Sequence, residues 1–259
     1  MTRTFFSALL AMLAMLCTAC SPDTLMQQIV DQSKVDSARA ILDRLNSSER
    51  TTLLAELDPS IQAEDPAAVL LALAAILPDQ APLSETVVGY HALSQDGVEF
   101  VNVTFEREYP GQWLLANVAV KTEAGRRTIV GLNVQPSAQS LRELNRFTLT
   151  DKALSHYLIL LAAIVAFLFT AYTLYRAART PIPKRKWLWL LFVACGFGQV
   201  AIQWTSGAVA VSLLSVQLFS AGATAPLYGP WLISCSLPLG AIVFWWRRKR
   251  WLSSAITLQ

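Results

Sequence analysis

Apolar residues between Asp23 and Leu77 recur at the three- and four-residue spacing of α-helices. Serine, aspartate and proline at the starts of the apolar runs divide this stretch into short elements. The predicted helices are Asp23–Lys34, Ala38–Leu45, Glu49–Leu57 and Ala67–Leu77. The second is amphipathic and needs a neighbour to pack against. The last is apolar nearly all round, which predicts a buried helix.

From Glu85 onward the apolar positions alternate with a period of two, which is typical of β-strands. The turn-forming pairs Asp96-Gly97, Pro110-Gly111 and Ala124-Gly125 separate four such runs. The predicted strands are Thr86–Leu93, Val98–Tyr109, Trp113–Lys121 and Thr128–Val134. Short turns predict an antiparallel meander. Helices followed by a meander indicate an α+β fold, with the helices packed on one face of the sheet.

Three long apolar runs after Lys152 predict a membrane domain, residues 153–259, with three transmembrane helices at 153–175, 187–204 and 229–246. Tryptophans flank the second run, as at a membrane interface. Pro238 and Gly240 predict a kink in the third. Between the second and third runs, residues 205–228 are apolar without forming a clear span. They predict either a pair of short strands or an interfacial re-entrant piece.

The amino terminus has the form of a targeting segment, with Arg3 before an apolar run from Phe5 to Ala19. Residues 1–19 are therefore predicted to be a signal peptide. The sequence Leu16-Cys17-Thr18-Ala19-Cys20 resembles the lipobox of bacterial lipoproteins. That resemblance implies that Cys20 is lipidated and becomes the first residue of the mature protein. An uncleaved signal anchor is the alternative.

The charges separate along the chain. Although the net charge is +3, all 18 acidic residues lie at or before Asp151. Residues 20–152 contain eleven basic against 18 acidic residues, a net charge of −7, while the last 107 residues carry nine basic residues in two tight clusters. Such clusters between apolar runs indicate membrane topology and exclude nucleic acid as the partner. They predict a bacterial inner-membrane protein with residues 20–152 in the periplasm and a cytoplasmic carboxyl terminus.

The element order from Asp23 to Pro136, with the strand series Val98 to Val134, resembles the NTF2-like (cystatin-like) superfamily. The resemblance implies helices leaning on a curved antiparallel sheet around a cone-shaped cavity. A simpler helical cap on a four-stranded meander is the alternative. The segments Pro226–Trp231 and Ser236–Ile242 resemble the carboxyl end of uncharacterised proteobacterial inner-membrane proteins. Neither resemblance implies an activity.

Residues for catalysis are sparse in the exported domain. His91 is its only histidine, and Glu99 or Glu106 could pair with it across the first hairpin as a weak candidate pocket. No nucleophile elbow, calcium loop or phosphate loop is present, so we predict no catalytic residue, metal or cofactor. After Cys20 this domain has no cysteine, which excludes a disulfide or zinc site.

Gln199 and Gln203 lie four residues apart within the second predicted span, where they are expected to form hydrogen bonds between helices. No acidic or basic residue lies inside any span, which argues against ion-coupled transport.

The leading hypothesis is a non-enzymatic envelope protein whose periplasmic domain binds or scaffolds a membrane or envelope partner, or a ligand, near the bilayer. The alternatives are an accessory subunit of a membrane complex and a hydrolase-like enzyme that uses His91.

Overall fold

The structure is a computed structural model that describes residues 26, 28, 30–61, 65–182 and 185–256, with side chains as far as Arg248. The chain divides into two compact units, Met1–Leu141 and Arg142–Gln259, called unit 1 and unit 2 below. The predicted signal peptide and Cys20 lie outside the described residues. Lipidation of Cys20 therefore stays a prediction.

The described helices of unit 1 are α1 (Gln32–Leu45), α2 (Arg50–Glu56) and α3 (Pro66–Ile76). The side chain of Asp31 caps α1 by accepting a hydrogen bond from the backbone of Ser33. Helix α1 then continues without a break through Ser37, where the sequence predicted a new helix to start. That prediction was wrong, because a buried stripe from Val35 to Leu45 makes one continuous contact with the sheet. At α3 the predicted start is confirmed, with Asp65 as cap and Pro66 in the first turn.

Unit 1 contains the predicted meander of four antiparallel strands, in the order β1-β2-β3-β4. The strands are β1 (Ser84–Gln95), β2 (Val98–Tyr109), β3 (Gln112–Glu123) and β4 (Arg126–Ser137). Both residues of the first and third turns have positive φ, with Asp96 at 54° and Ala124 at 49°. These are the turns that suit the right-handed twist of a hairpin.

The core of unit 1 lies between the helices and one face of the sheet. Val103 and Phe105 of β2 and Leu114 of β3 are fully buried there against Ile41 and Leu45 of α1. The α+β arrangement predicted from the sequence is therefore confirmed. On the opposite face, Asn117 donates a hydrogen bond to Thr104 at 2.8 Å.

A charged network crosses the edge of this core. The buried Arg107 guanidinium contacts Glu85 at 2.6 Å and Asp43 at 3.0 Å, and Glu85 also accepts from Arg39 at 2.6 Å. Burial opposes the charge of Arg107, but the two carboxylates outweigh it and raise the pKa of Arg107. The network fastens α1 to β1 and β2.

Unit 2 combines helices with a second antiparallel sheet. A single-turn helix, α4 (Leu141–Leu144), precedes the long helix α5 (Leu154–Arg179). Then follow α6 (Lys186–Ala194), β5 (Cys195–Gln203), β6 (Val209–Leu218), β7 (Ala221–Thr224), β8 (Leu232–Leu237) and α7 (Leu239–Ile256). The strand order in this sheet is β6-β5-β8-β7.

The prediction of three transmembrane helices was wrong, since α5 is the only described helix long and apolar enough to cross a membrane. The predicted span 187–204 changes from helix to strand at Cys195, where β5 pairs with both β6 and β8. Gly198, with a φ of 68°, lies within β5 where the pairing with β6 shifts register. The predicted span 229–246 is strand β8 followed by α7, separated by Pro238, which has no backbone N–H to donate.

Of the two alternatives for residues 205–228, the structure has the strands β6 and β7.

Two small cores hold unit 2 together. Ala163 on α5 packs with Ile202, Trp204 and Ile233. Ala177, near the end of α5, packs with Ile182, Val193, Ala241 and Phe244.

Candidate functional site

The structure does not bring His91, Glu99 and Glu106 together. His91 lies opposite Asn102 in the β1–β2 pair, on the sheet face away from the helices. Glu99 points to the helix side, because side chains alternate along a strand, and it forms an ion pair with Lys34. Glu106 is buried and accepts a hydrogen bond from the backbone N–H of Leu141. The structure thus separates the members of the predicted candidate pocket. Glu99 lies on the other sheet face from His91, and Glu106 lies four residues along β2 from Asn102, the residue opposite His91.

Gln199 and Gln203 lie in strand β5 and not on a helix, so the predicted interhelical bonds between them are corrected as well. Gln199 lies opposite Ser212 of β6, and the side chain of Gln203 accepts from Ser206. The helices of unit 2 are linked by a bond that sequence reasoning missed. The indole N–H of Trp245 on α7 donates to Thr173 on α5 at 2.9 Å.

The strongest candidate for a binding site in unit 1 is a groove of about 420 Å³ between α2 and α3. Its apolar surface is formed by Leu54, Ala67, Leu70 and Leu71. Ser47, Ser48, Arg50 and Thr51 supply the polar side. This set, named here the α2–α3 groove, joins a hydrophobic floor to a row of hydroxyl groups and one guanidinium.

Helix α3 leaves most of its apolar surface in contact with solvent. Within the helix only Leu70 and Ala74 are buried, whereas Val69 is 47% exposed and Leu71 is 59% exposed. The prediction of a buried helix was wrong. Unit 1 has one layer of helices on one sheet face, so α3 buries a single stripe and turns its remaining apolar residues outward.

The polar side of the groove is held in place by internal bonds. The Arg50 guanidinium donates to the carbonyl of Leu45 at 2.8 Å. Behind it, Arg44 contacts both oxygens of Glu56, at 2.5 and 2.9 Å. This hydrogen-bonded pairing lowers the pKa of Glu56 and raises the pKa of Arg44. Both groups stay charged at neutral pH, so the α1–α2 connection is pinned.

Unit 2 contains a larger cleft, of about 580 Å³, between α5 and the second sheet. Its walls are mostly aliphatic and aromatic, from residues such as Val165, Phe169, Phe197 and Leu213. Cys235, Ser236 and Gln199 are the residues with polar or thiol groups in its lining. A surface of this composition can hold an apolar chain but offers few groups for hydrogen bonds.

A buried histidine lies near the start of α5. His156 is 5% exposed, and its ring meets Trp204 edge-on at 5.1 Å. Neither ring nitrogen has a hydrogen-bond partner among the described residues. Trp204 stacks on Phe147 at 4.6 Å and donates to the carbonyl of Thr148 at 2.7 Å. The cluster fastens the segment before α5 to the end of β5.

Within the described part of the chain, no group of three or more His, Cys, Asp or Glu side chains could hold a metal ion. Comparisons of the chain with known protein families, with curated proteins and with solved structures find no match. The NTF2-like and inner-membrane resemblances therefore stay predictions.

Proposed function

We propose that this protein is a non-enzymatic, membrane-anchored envelope protein whose unit 1 binds an apolar segment of a partner protein in the α2–α3 groove. The observation that carries the proposal is the exposed apolar face of α3. Leu71, which is 59% exposed, lines the groove together with Ala67, and Leu54 continues this apolar surface across α2. Contiguous apolar patches on a folded domain mark interaction sites.

The composition of the groove favours an amphipathic helix as the bound segment. Apolar side chains of such a helix would lie between Leu54 and Leu71, above Leu70. Its polar side would meet the hydroxyl groups of Ser47, Ser48 and Thr51. Arg50 would favour an acidic residue on the partner. A bound membrane protein would make this chain an accessory subunit of a membrane complex.

The charge pattern supports an inner-membrane location with unit 1 in the periplasm. Helix α5 has 26 residues, about 39 Å at 1.5 Å per residue, which is long enough to cross a bilayer. Arg176 and Arg179 lie at its carboxyl end, and no acidic residue follows Asp151. Positive residues accumulate on the cytoplasmic side, so α5 would run inward from the periplasm.

The test is site-specific photo-crosslinking of the full chain in native membranes. A photoreactive phenylalanine analogue at Leu71 is expected to give one discrete crosslinked product, because Leu71 lines the groove. The matched control position is Leu93, which is 50% exposed on the opposite sheet face. No product at Leu71, or the same products from both positions, would contradict the proposal.

A second variant separates binding from folding. Ala67→Glu places a charge on the exposed lining of the groove and is expected to change the free energy of unfolding by less than about 0.5 kcal/mol. It should nevertheless abolish the crosslink from Leu71, because a carboxylate would be desolvated in the complex. Leu93→Glu is the control substitution and should leave that crosslink intact.

A further inference from the structure

The two basic clusters of the membrane half are far apart in sequence. The first contains Arg176, Arg179, Lys184, Arg185 and Lys186, and the second runs from Arg247 to Arg250. No aspartate or glutamate follows Asp151, so this part of the chain holds no carboxylate side chain to neutralise them. An acidic side chain of this protein that neutralises them would have to come from residues before Lys152.

Unit 2 brings described members of both clusters to one end. The chain from Ile233 on β8 to Trp245 on α7 runs in the same direction as α5, because Ile233 packs near Ala163 and Trp245 donates to Thr173. Arg176 lies three residues beyond Thr173, and Arg248 lies three residues beyond Trp245. Since three residues make nearly one helical turn, these two guanidinium groups occupy the same level on neighbouring helices.

Helix α6 starts at this same end and adds to the charge. Arg247 lies over the ring of Trp189 at 5.8 Å, and Lys186 donates to the carbonyl of Ala178 at 2.6 Å. The basic end of unit 2 is therefore a surface built from three helices. It comprises Arg176, Arg179, Lys186, Arg247 and Arg248.

Aromatic rings orient several of these cations. Arg248 lies over Trp245 at 5.0 Å, and Arg179 lies over Tyr175 at 4.6 Å. A guanidinium stacked on a ring keeps its in-plane N–H groups free for an oxygen ligand. The Nε of Arg248 is buried and has no hydrogen-bond partner among the described residues. Exposed Trp187 and Trp246 flank the surface, as aromatic residues do at the headgroup level of a bilayer.

We propose that the basic end binds the phosphate of an anionic phospholipid, with Arg176 and Arg248 as its principal ligands. Charge complementarity carries the assignment, because five cations converge and residues 152–259 contain no aspartate or glutamate. Arginine pairs bind phosphate oxygens through parallel N–H donors. Basic surfaces at the cytoplasmic ends of membrane helices recognise anionic headgroups in this way. This inference rests on the membrane-spanning role given to α5 under the proposed function.

The test measures lipid affinity of the full chain in detergent by native mass spectrometry. Short-chain phosphatidylglycerol and phosphatidylcholine are the two probes, and phosphatidylglycerol is expected to bind at least about 10-fold more tightly. The double variant Arg176→Gln/Arg248→Gln should lower the affinity for phosphatidylglycerol about 30-fold and leave that for phosphatidylcholine unchanged. Arg176→Lys/Arg248→Lys retains both charges and should recover part of the loss.

Arg126→Gln/Arg127→Gln is the matched control, because it removes two exposed charges from unit 1. It should bind phosphatidylglycerol like the unaltered chain. Equal affinity for the two lipids, or an equal loss in the control, would overturn the proposal and leave an acidic protein segment as the partner. Displacement of phosphatidylglycerol by inorganic phosphate at the same concentration would overturn the assignment to a lipid.

Carbonate extraction of native membranes separates this inference from the function on which it rests. Release of the unaltered chain into the soluble fraction would contradict membrane anchoring itself. A chain that stays in the membrane but shows no lipid preference would contradict only the headgroup site. The crosslink at Leu71 reports on unit 1 and is independent of both results.

Discussion

Single side chains hold the wall of the α2–α3 groove in place. Asp58 follows the end of α2, and its backbone N–H donates to the carbonyl of Ile129 on β4 at 2.9 Å. Its carboxylate accepts hydrogen bonds from the backbone of Ser60 and the hydroxyl of Thr128, each at 2.9 Å. These donors, Ser60 before Thr128, lower the pKa of Asp58 to about 2. One carboxylate thus ties α2 to the sheet.

The depressed pKa predicts an acid-dependent loss of stability. The ionised carboxylate stabilises the folded state above its ordinary pKa of 3.8, and this contribution disappears as the pH falls toward about 2. Asp58→Asn should therefore be less stable than the unaltered chain at pH 6, with the difference vanishing near pH 2. Urea unfolding of the full chain in detergent micelles, followed by circular dichroism at each pH, measures it. Thr128→Val should lose part of the same pH dependence, whereas parallel curves for all three proteins would contradict the assignment.

At the scale of elements, the hairpin turns show how local chemistry decides structure. The first and third turns of the meander have the same conformation, but one uses Asp96-Gly97 and the other Ala124-Gly125. Aspartate tolerates a positive φ because its short polar side chain bonds to nearby backbone, whereas alanine has no such compensation. The third hairpin therefore carries strain that the first avoids.

Reciprocal substitutions test this comparison. Ala124→Asp should raise the free energy of unfolding by about 0.5–1 kcal/mol, and Asp96→Ala should lower it by a similar amount. Urea unfolding of the full chain measures both. Changes of the same sign in the two hairpins would show that strain at positive φ is not the cause.

At the scale of the whole molecule, the separation of charge is the clearest guide to orientation. All acidic residues lie at or before Asp151, and nine basic residues follow Lys152 in two clusters. Strands interrupt two of the predicted spans, but the positions of the charges along the chain do not depend on that secondary structure. Charge position acts through the membrane potential and lipid headgroups, and not through the secondary structure between the charges.

The proposed orientation predicts which side of the membrane each unit reaches. The test uses a chain in which Cys195 and Cys235 are replaced. In that chain Gln95→Cys, at the carboxyl end of β1, should react with a membrane-impermeant maleimide in spheroplasts. Arg185→Cys should react only after the membrane is broken, because it precedes α6 on the cytoplasmic side. Labelling of both positions in intact spheroplasts would contradict the orientation.

The sequence alone determined the features that a few neighbouring residues encode. Two-residue alternation and glycine turns predicted the strand order from β1 to β4, and Asp65-Pro66 predicted the start of α3. Such signals are local, since turn φ angles and helix caps depend on residues only a few positions apart. The sequence predicted helix boundaries less well. Ser37 is a residue type that often caps a helix, but α1 continues through it because its buried stripe packs on the sheet.

Only the tertiary structure decided which apolar surfaces are covered. Helix α3 is exposed, and the α2–α3 groove is open, because unit 1 has only one layer of helices on its sheet. The sequence of a single segment does not contain the number of layers. Likewise β5 is a strand because it pairs with β6 and β8, distant partners that its apolar composition does not specify. Sheet alternation separated His91 from Glu99, and helix packing joined Trp245 on α7 to Thr173 on α5. Long-range pairing and packing supply these decisions, because burial is a property of the assembled chain and not of one residue's neighbours.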